Sequence, residues 1–166
     1  LLGLFDETVD VLTSELLALL DANLVGIWII SNGSYKLLNV KGDLIPKMGE
    51  IATIDSENAF DQLKKEGLPN LNNHIYSDDK NYSFFQDHSL RHNIPAEVAI
   101  PLYSVTEVGL LNSAMKVPDH SQLFGVMIIK RKTLFSRTEF NLTSKLVTQA
   151  GSILWRLYKS SGLANL

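Results

Sequence analysis

Leu24-Val25-Gly26-Ile27-Trp28-Ile29-Ile30-Ser31-Asn32-Gly33-Ser34-Tyr35-Lys36-Leu37-Leu38-Asn39-Val40 decides the fold. Its first seven residues are rich in β-branched and aromatic types, and they read as a central strand buried on both faces. Asn32-Gly33 is a strong hairpin signal, because a two-residue turn that matches strand twist needs positive φ at both positions. Tyr35 to Val40 supplies the returning strand. An antiparallel sheet therefore starts here, and the flanking segments must cover it.

Upstream, Leu4 to Leu20 carries Leu4, Phe5, Val9, Leu12, Leu16, Leu19 and Leu20 at helical spacing. Asp6, Glu7 and Asp10 lie in its early turns, where they suit the positive end of the helix dipole. Downstream, Lys41 to Thr53 reads as a loop or irregular strand. A short helix comes next, capped by Asp55 or Ser56, with Phe60 and Leu63 on its apolar side and Gly67 and Pro69 at its end. Leu68 to Asp79 is turn-rich, with a strand expected at His74-Ile75-Tyr76. Asn81 to His92 reads as a short helix, Ala96 to Tyr103 and Leu123 to Lys130 as strands, and Val105 to Ser121 as a long connection that either binds a partner or folds back. Ser136 and Glu139 have capping-box spacing, opening a closing helix to about Lys159. Its apolar face is expected to hold Phe140, Leu146, Val147, Ala150, Ile153, Leu154 and Leu157.

The bulk properties narrow the function. In 166 residues, 45% are hydrophobic and 20% charged, the composition of a globular soluble domain. A net charge of -3 gives no support for a nucleic-acid partner, and Lys130-Arg131-Lys132, the only basic cluster, reads as a solvated turn. No apolar run approaches the roughly 20 residues of a membrane span. Cysteine is absent, which removes disulfides, thiolate metal sites and thiol nucleophiles and fits a cytoplasmic location. No phosphate-binding glycine loop or nucleophile elbow is present. The chain is expected to be one domain cut from a larger protein, with a helix over 1–20, the sheet and its intervening helices over 24–130, and a closing helix over 137–160.

The segments in order resemble a GAF domain across nearly the whole chain. Gly49-Glu50-Ile51-Ala52 with the helix to Glu66 and Gly67-Leu68-Pro69 is similar to the family's helix and Gly-x-Pro. Ile75-Tyr76-Ser77-Asp78 resembles its polar stretch, and Ile94 to Leu102 its strand ending in a Val-Pro-Leu-like triplet. Phe124-Gly125-Val126-Met127, Leu134-Phe135-Ser136 and Glu139-Phe140 are similar to its last strand and the start of its closing helix. The resemblance implies an α+β fold: a central antiparallel sheet of about six strands, terminal helices on one face, and short helices and loops over a small-molecule pocket on the other. It implies a sensory or regulatory module of a signalling protein, not an enzyme, that forms homodimers through the terminal helices. Covalent bilin attachment and methionine-sulfoxide reduction both need a Cys in this family and are not expected. Asn58-Ala59-Phe60-Asp61 only superficially matches the cyclic-nucleotide signature. No cofactor is implied, and the ligand stays unnamed.

Pocket candidates are Tyr76, Asp79, Phe84, Phe85, His88, His92 and Glu97, a set of aromatic contacts with a few polar groups. The alternative is a cavity filled by the protein's own bulky side chains, leaving an interaction or dimerisation module. His88 and His92, at i, i+4, read as a solvated pair ahead of a metal site. Strand alternation puts Glu97 and Ala99 on one face and Val98 and Ile100 on the other. Glu97 is thus either a ligand anchor or an edge-strand residue in water, and Trp28 is core. Leu12, Leu16, Ile153, Leu154, Trp155 and Tyr158 are the candidate dimer residues.

Overall fold

The computed structural model describes residues 2–43, 53–54, 58–76, 82–104 and 123–162. Helix α1 (Leu2–Leu19) leads into the hairpin of β1 (Leu24–Ser31) and β2 (Ser34–Lys41). Strand β3 (Thr53–Ile54), helix α2 (Asn58–Glu66), strand β4 (Asn70–Asn72) and helix α3 (Gln86–Arg91) come next. Strands β5 (Ala96–Tyr103) and β6 (Leu123–Arg131) and helix α4 (Arg137–Ser160) complete the order. The six strands form one sheet in the order β3-β2-β1-β6-β5-β4, and every pairing is antiparallel.

The hairpin turns at Asn32 and Gly33, with φ of 52° and 82°, as the Asn-Gly pair requires. The last helix begins with a complete capping box: Glu139 N–H donates to Ser136 Oγ at 3.0 Å, and Ser136 N–H donates to Glu139 Oε1 at 2.9 Å. One expectation is corrected. The strand expected at His74-Ile75-Tyr76 lies a few residues earlier, at Asn70–Asn72, where those residues pair with Ala99, Val98 and Glu97. Asn72 then turns the chain out of the sheet, its Oδ1 accepting from His74 N–H at 2.9 Å.

Two cores separate the layers. Phe5, Val9 and Leu16 of α1, with Phe140, Val147 and Leu154 of α4, pack against Val25, Ile27, Val98, Ile100 and Ile129 of the sheet. Each such side chain contributes about 1.5–3 kcal/mol when fully buried. On the opposite face Trp28, Tyr35, Phe60, Leu63, Phe84, Phe85, Tyr103 and Val126 form the second core under α2 and α3. Gly26 makes room there, since a methyl group at its Cα would meet the Trp28 ring at 2.5 Å. Gly151 lets α4 approach β5, with the Tyr103 carbonyl oxygen 3.1 Å from where a Cβ would sit.

The helices α1 and α4 run antiparallel. Phe5 and Tyr158 meet at one end, with ring centroids 5.4 Å apart, and Leu20 and Glu139 both bond Arg131 at the other. The outward face corrects the expected apolar side of α4: Leu146 and Ile153 are about half exposed, at 47% and 51%. Among the described residues no helix is long and apolar enough to cross a membrane.

Candidate functional site

The face beneath α2 and α3 corresponds to the expected pocket, and its chemistry centres on two opposite charges. Glu97 in β5 and Lys130 in β6 are direct cross-strand partners, and both point away from the terminal helices. Their charged groups lie 3.0 Å apart with 0% and 1% side-chain exposure. Glu97 also accepts from Phe84 N–H through both oxygens, each at 3.1 Å, and from Ser83 Oγ at 3.1 Å. Lys130 Nζ donates to the Phe84 carbonyl and, at 2.5 Å, to Ser89 Oγ. The two charges thus grip both polar atoms of residue 84's backbone, its donor by Glu97 and its acceptor by Lys130. A buried pair is tolerable only with such additional hydrogen bonds, because desolvating two ions costs several kcal/mol each.

That arrangement decides Glu97's surroundings. It is neither at an edge nor in water, since β4 and β6 flank its strand. It also corrects the reading of Lys130-Arg131-Lys132 as a solvated turn: Lys130 and Arg131 are buried and only Lys132 is exposed. Phe84 is fully buried, and Phe85 lies over Trp28 with ring centroids 5.3 Å apart. Phe85 has φ of 51° and ψ of 49°, a left-handed conformation unusual for a side chain without a local hydrogen-bonding group. His88 is buried and stacks on half-buried His92 at 4.6 Å between centroids, so the pair is not a solvated one. Among the described residues no group of three or more His, Cys, Asp or Glu could hold a metal ion. Tyr76 is exposed, with its hydroxyl 3.5 Å from the Ser89 carbonyl, and Asp79 lies outside the described residues. The Val105 to Ser121 connection, the Gly49 to Ala52 stretch and the cap at Asp55 or Ser56 also lie outside them.

Tyrosines complete the site. The Tyr103 hydroxyl donates to the Gly67 carbonyl at 2.9 Å, tying β5 to the end of α2, and burial pushes its phenol up to about 12. Tyr35 packs edge-on against Phe60 at 4.2 Å. Its buried hydroxyl has no hydrogen-bond partner among the described residues, and burial, then Tyr103, raises its phenol well above the ordinary value. It is therefore a neutral donor at any physiological pH. Ser89 beside Lys130 has the residue types of an acyl-transfer dyad, but Ser89 is fully buried and offers a substrate no approach.

This geometry can be set beside known structures. No protein-family model matches the chain, and no curated protein matches it in sequence. Solved structures do. The GAF domain of a two-component sensor histidine kinase from Bacillus halodurans superposes with a TM-score of 0.68 at 14% identity, over 95% of this chain and 97% of that one. A GAF domain/HD domain protein from Geobacter sulfurreducens gives 0.66 at 13% identity, over 93% and 94%. The chain has the GAF fold. A free methionine-R-sulfoxide reductase from Neisseria meningitidis, solved with its substrate, is also similar, at 0.63 and 14% identity over 96% and 81%.

The helix face of this GAF fold redistributes the candidate dimer residues. Leu16 and Leu154 are buried in the protomer's own core and are corrected to structural residues. Leu12, Trp155 and Tyr158 pack partly against that core, with Trp155 on Phe124 at 5.2 Å and on Tyr158 at 5.9 Å. Ile153 stays outside. Nearer the start of α4, Leu19, Leu142 and Leu146 line an open groove of about 250 Å³ between the helices, floored by Leu16, Leu20 and Thr143. Periodicity alone puts Leu19 and Leu146 on covered faces and leaves Leu142 unassigned. The sharper signal is spacing, since Leu142, Leu146 and Ile153 fall on one coiled-coil-like stripe whose remaining position, 149, is an exposed glutamine.

Proposed function

We propose that this chain is a sensory or regulatory GAF module that acts through the packing of its terminal helices and catalyses nothing itself. One observation carries the reading: its two sheet faces differ. Among the described residues, the side beneath α2 and α3 packs its own aromatic residues around a buried ion pair, while the outer side of α1 and α4 leaves Leu19, Leu142, Leu146 and Ile153 exposed. A homodimer through that stripe is the arrangement we favour. Support comes from charge: α1 carries Asp6, Glu7, Asp10 and Glu15 and no basic residue, whereas α4 carries Arg137, Lys145, Arg156 and Lys159 against Glu139 alone. A second copy could therefore place α4 against α1 with opposite charges facing.

Of the bulky residues that a filled cavity would turn inward, Phe84 and Phe85 are buried and support the interaction module, while Tyr76 is exposed. The similarity to a sulfoxide reductase does not make this chain one, because the family's chemistry needs a Cys and the chain has none. Small-molecule sensing is the second reading, favoured by the Tyr35 hydroxyl, a buried donor that a ligand acceptor could satisfy. Under either reading the module would act in the cytoplasm, beside other domains of a longer protein. Sedimentation of the purified chain, with a thermal-shift screen of nucleotides, amino acids and small anions, tests both. A dimer silent to the screen supports the first reading. A concentration-dependent shift, about 2.7 kcal/mol at a hundredfold excess over the dissociation constant, establishes the second. A monomer that binds nothing refutes both.

A further inference from the structure

Lys130 and Arg131 are consecutive residues of β6 that reach through opposite faces of the sheet. Lys130 holds the Phe84 carbonyl, Ser89 and Glu97 on one side. Arg131 holds the helix pair on the other. Its Nη1 donates to the Leu20 carbonyl at 2.7 Å, where α1 ends, and to Glu139 Oε2 at 2.9 Å, where α4 begins. Its Nη2 donates to Glu139 Oε1 and the Leu134 carbonyl, both at 2.7 Å, and its Nε to the Thr133 carbonyl at 3.0 Å. The guanidinium lies 4.2 Å from the Phe135 ring centroid, so the group is fixed from every side. Asn23 ties the same stretch of backbone, its N–H donating to the Lys130 carbonyl at 3.0 Å and its Oδ1 accepting from Lys132 N–H at 2.8 Å.

We propose that this pair is a through-sheet coupling: the position of the 84–89 segment and the packing of α1 against α4 are set together by the end of β6. Coupling needs an element with two arrangements, and Phe85 supplies one. Its left-handed backbone persists only while the clasp on Phe84 holds the segment down. Releasing the clasp frees Phe85 to return to negative φ and lets Lys130 move, and the adjoining peptide carries that shift to Arg131. The inference rests on the terminal helices being the output. Its test reads coupling within one chain, so failure of dimerisation would leave it standing.

The experiment is amide hydrogen exchange on the full chain, with the β1–β2 hairpin as internal reference for global opening. Glu139→Gln alters only the helix side. It should speed exchange of the Ser89 N–H, bonded to the Phe85 carbonyl, and of the Ile94 N–H, bonded to the Ser89 carbonyl, relative to the hairpin. In the other direction, Glu97→Gln should speed exchange of the Ala22 N–H, bonded to the Leu17 carbonyl, and of the Phe140 N–H, bonded to the Ser136 carbonyl. Ser89→Ala, which spares the ion pair, serves if Glu97→Gln fails to fold. Combining the two sides should change the unfolding constant by more than about threefold from the product of the single effects. Exchange effects confined to the mutated face, with a multiplicative double variant, overturn the proposal.

Discussion

Glu97 and Lys130 sit opposite each other on adjacent antiparallel strands, 3.0 Å apart and out of water, with the backbone of Phe84 held by both. The pair fixes the segment over this side of the sheet with two charges, where an apolar side chain would have held it without direction. Charges in such a place act as a unit, and that governs how they respond to substitution.

Removing one member should be far worse than removing both. Lys130→Met leaves a buried carboxylate without its counter-charge and should cost about 3–5 kcal/mol in denaturant unfolding. Adding Glu97→Leu should recover much of that loss. A double variant no better than the single would show that the charges are held apart energetically and that the cost lies in packing.

Acid should attack the helix junction. The Arg131 guanidinium, then the Ser136 N–H, hold the Glu139 carboxyl down from 4.5 to about 2. A depressed carboxyl contributes stability in full above its unfolded value and loses it as pH falls toward the folded one. That contribution should therefore fade between about pH 4.5 and 2, and Glu139→Gln should abolish that part of the acid dependence. Urea midpoints at pH 7 and pH 3 check this. An unchanged pH slope in the variant would remove Glu139 from the account.

The two buried tyrosines should respond in opposite directions. Tyr35→Phe removes a hydroxyl with no partner among the described residues and should leave stability unchanged or higher by up to about 1 kcal/mol. Tyr103→Phe breaks the bond to the Gly67 carbonyl and should cost about 1 kcal/mol. A loss on Tyr35→Phe would indicate a partner for that hydroxyl in the folded protein.

The outward stripe should separate assembly from folding. Leu146→Glu with Ile153→Glu should turn a dimer into a monomer in sedimentation while shifting unfolding by about 0.5 kcal/mol or less. Leu154→Ala, one residue on but inside the core, should cost about 2–5 kcal/mol. Equal effects from the two would mean that the stripe is covered within the protomer.

Most of the fold is legible in the sequence because its signals are local. The Asn32-Gly33 turn, the Gly67 helix end and the Ser136–Glu139 box each depend on a few neighbouring residues, and each forms as read. The site is less legible because its key relation is between residues 33 positions apart in sequence, Glu97 and Lys130, whose register no periodicity states. A signal does exist. Each is a charge interrupting or ending an apolar strand, and opposite charges so placed on two neighbouring strands point to each other. Taken alone, Lys130 groups with Arg131 and Lys132 as a run of like charges, although strand alternation sends the first two to opposite faces. Leu16 and Leu154 mislead for a different reason, since α1 and α4 carry leucines on both their sheet-facing and outward sides, and composition does not say which leucine lies on which.

The sheet ends in strands of two and three residues, β3 and β4. Among the described residues the border strands themselves are thus very short, a form of edge that offers an incoming chain few backbone groups to pair with. A border of this kind turns contacts between copies toward side chains, where a long open strand would invite fibre growth.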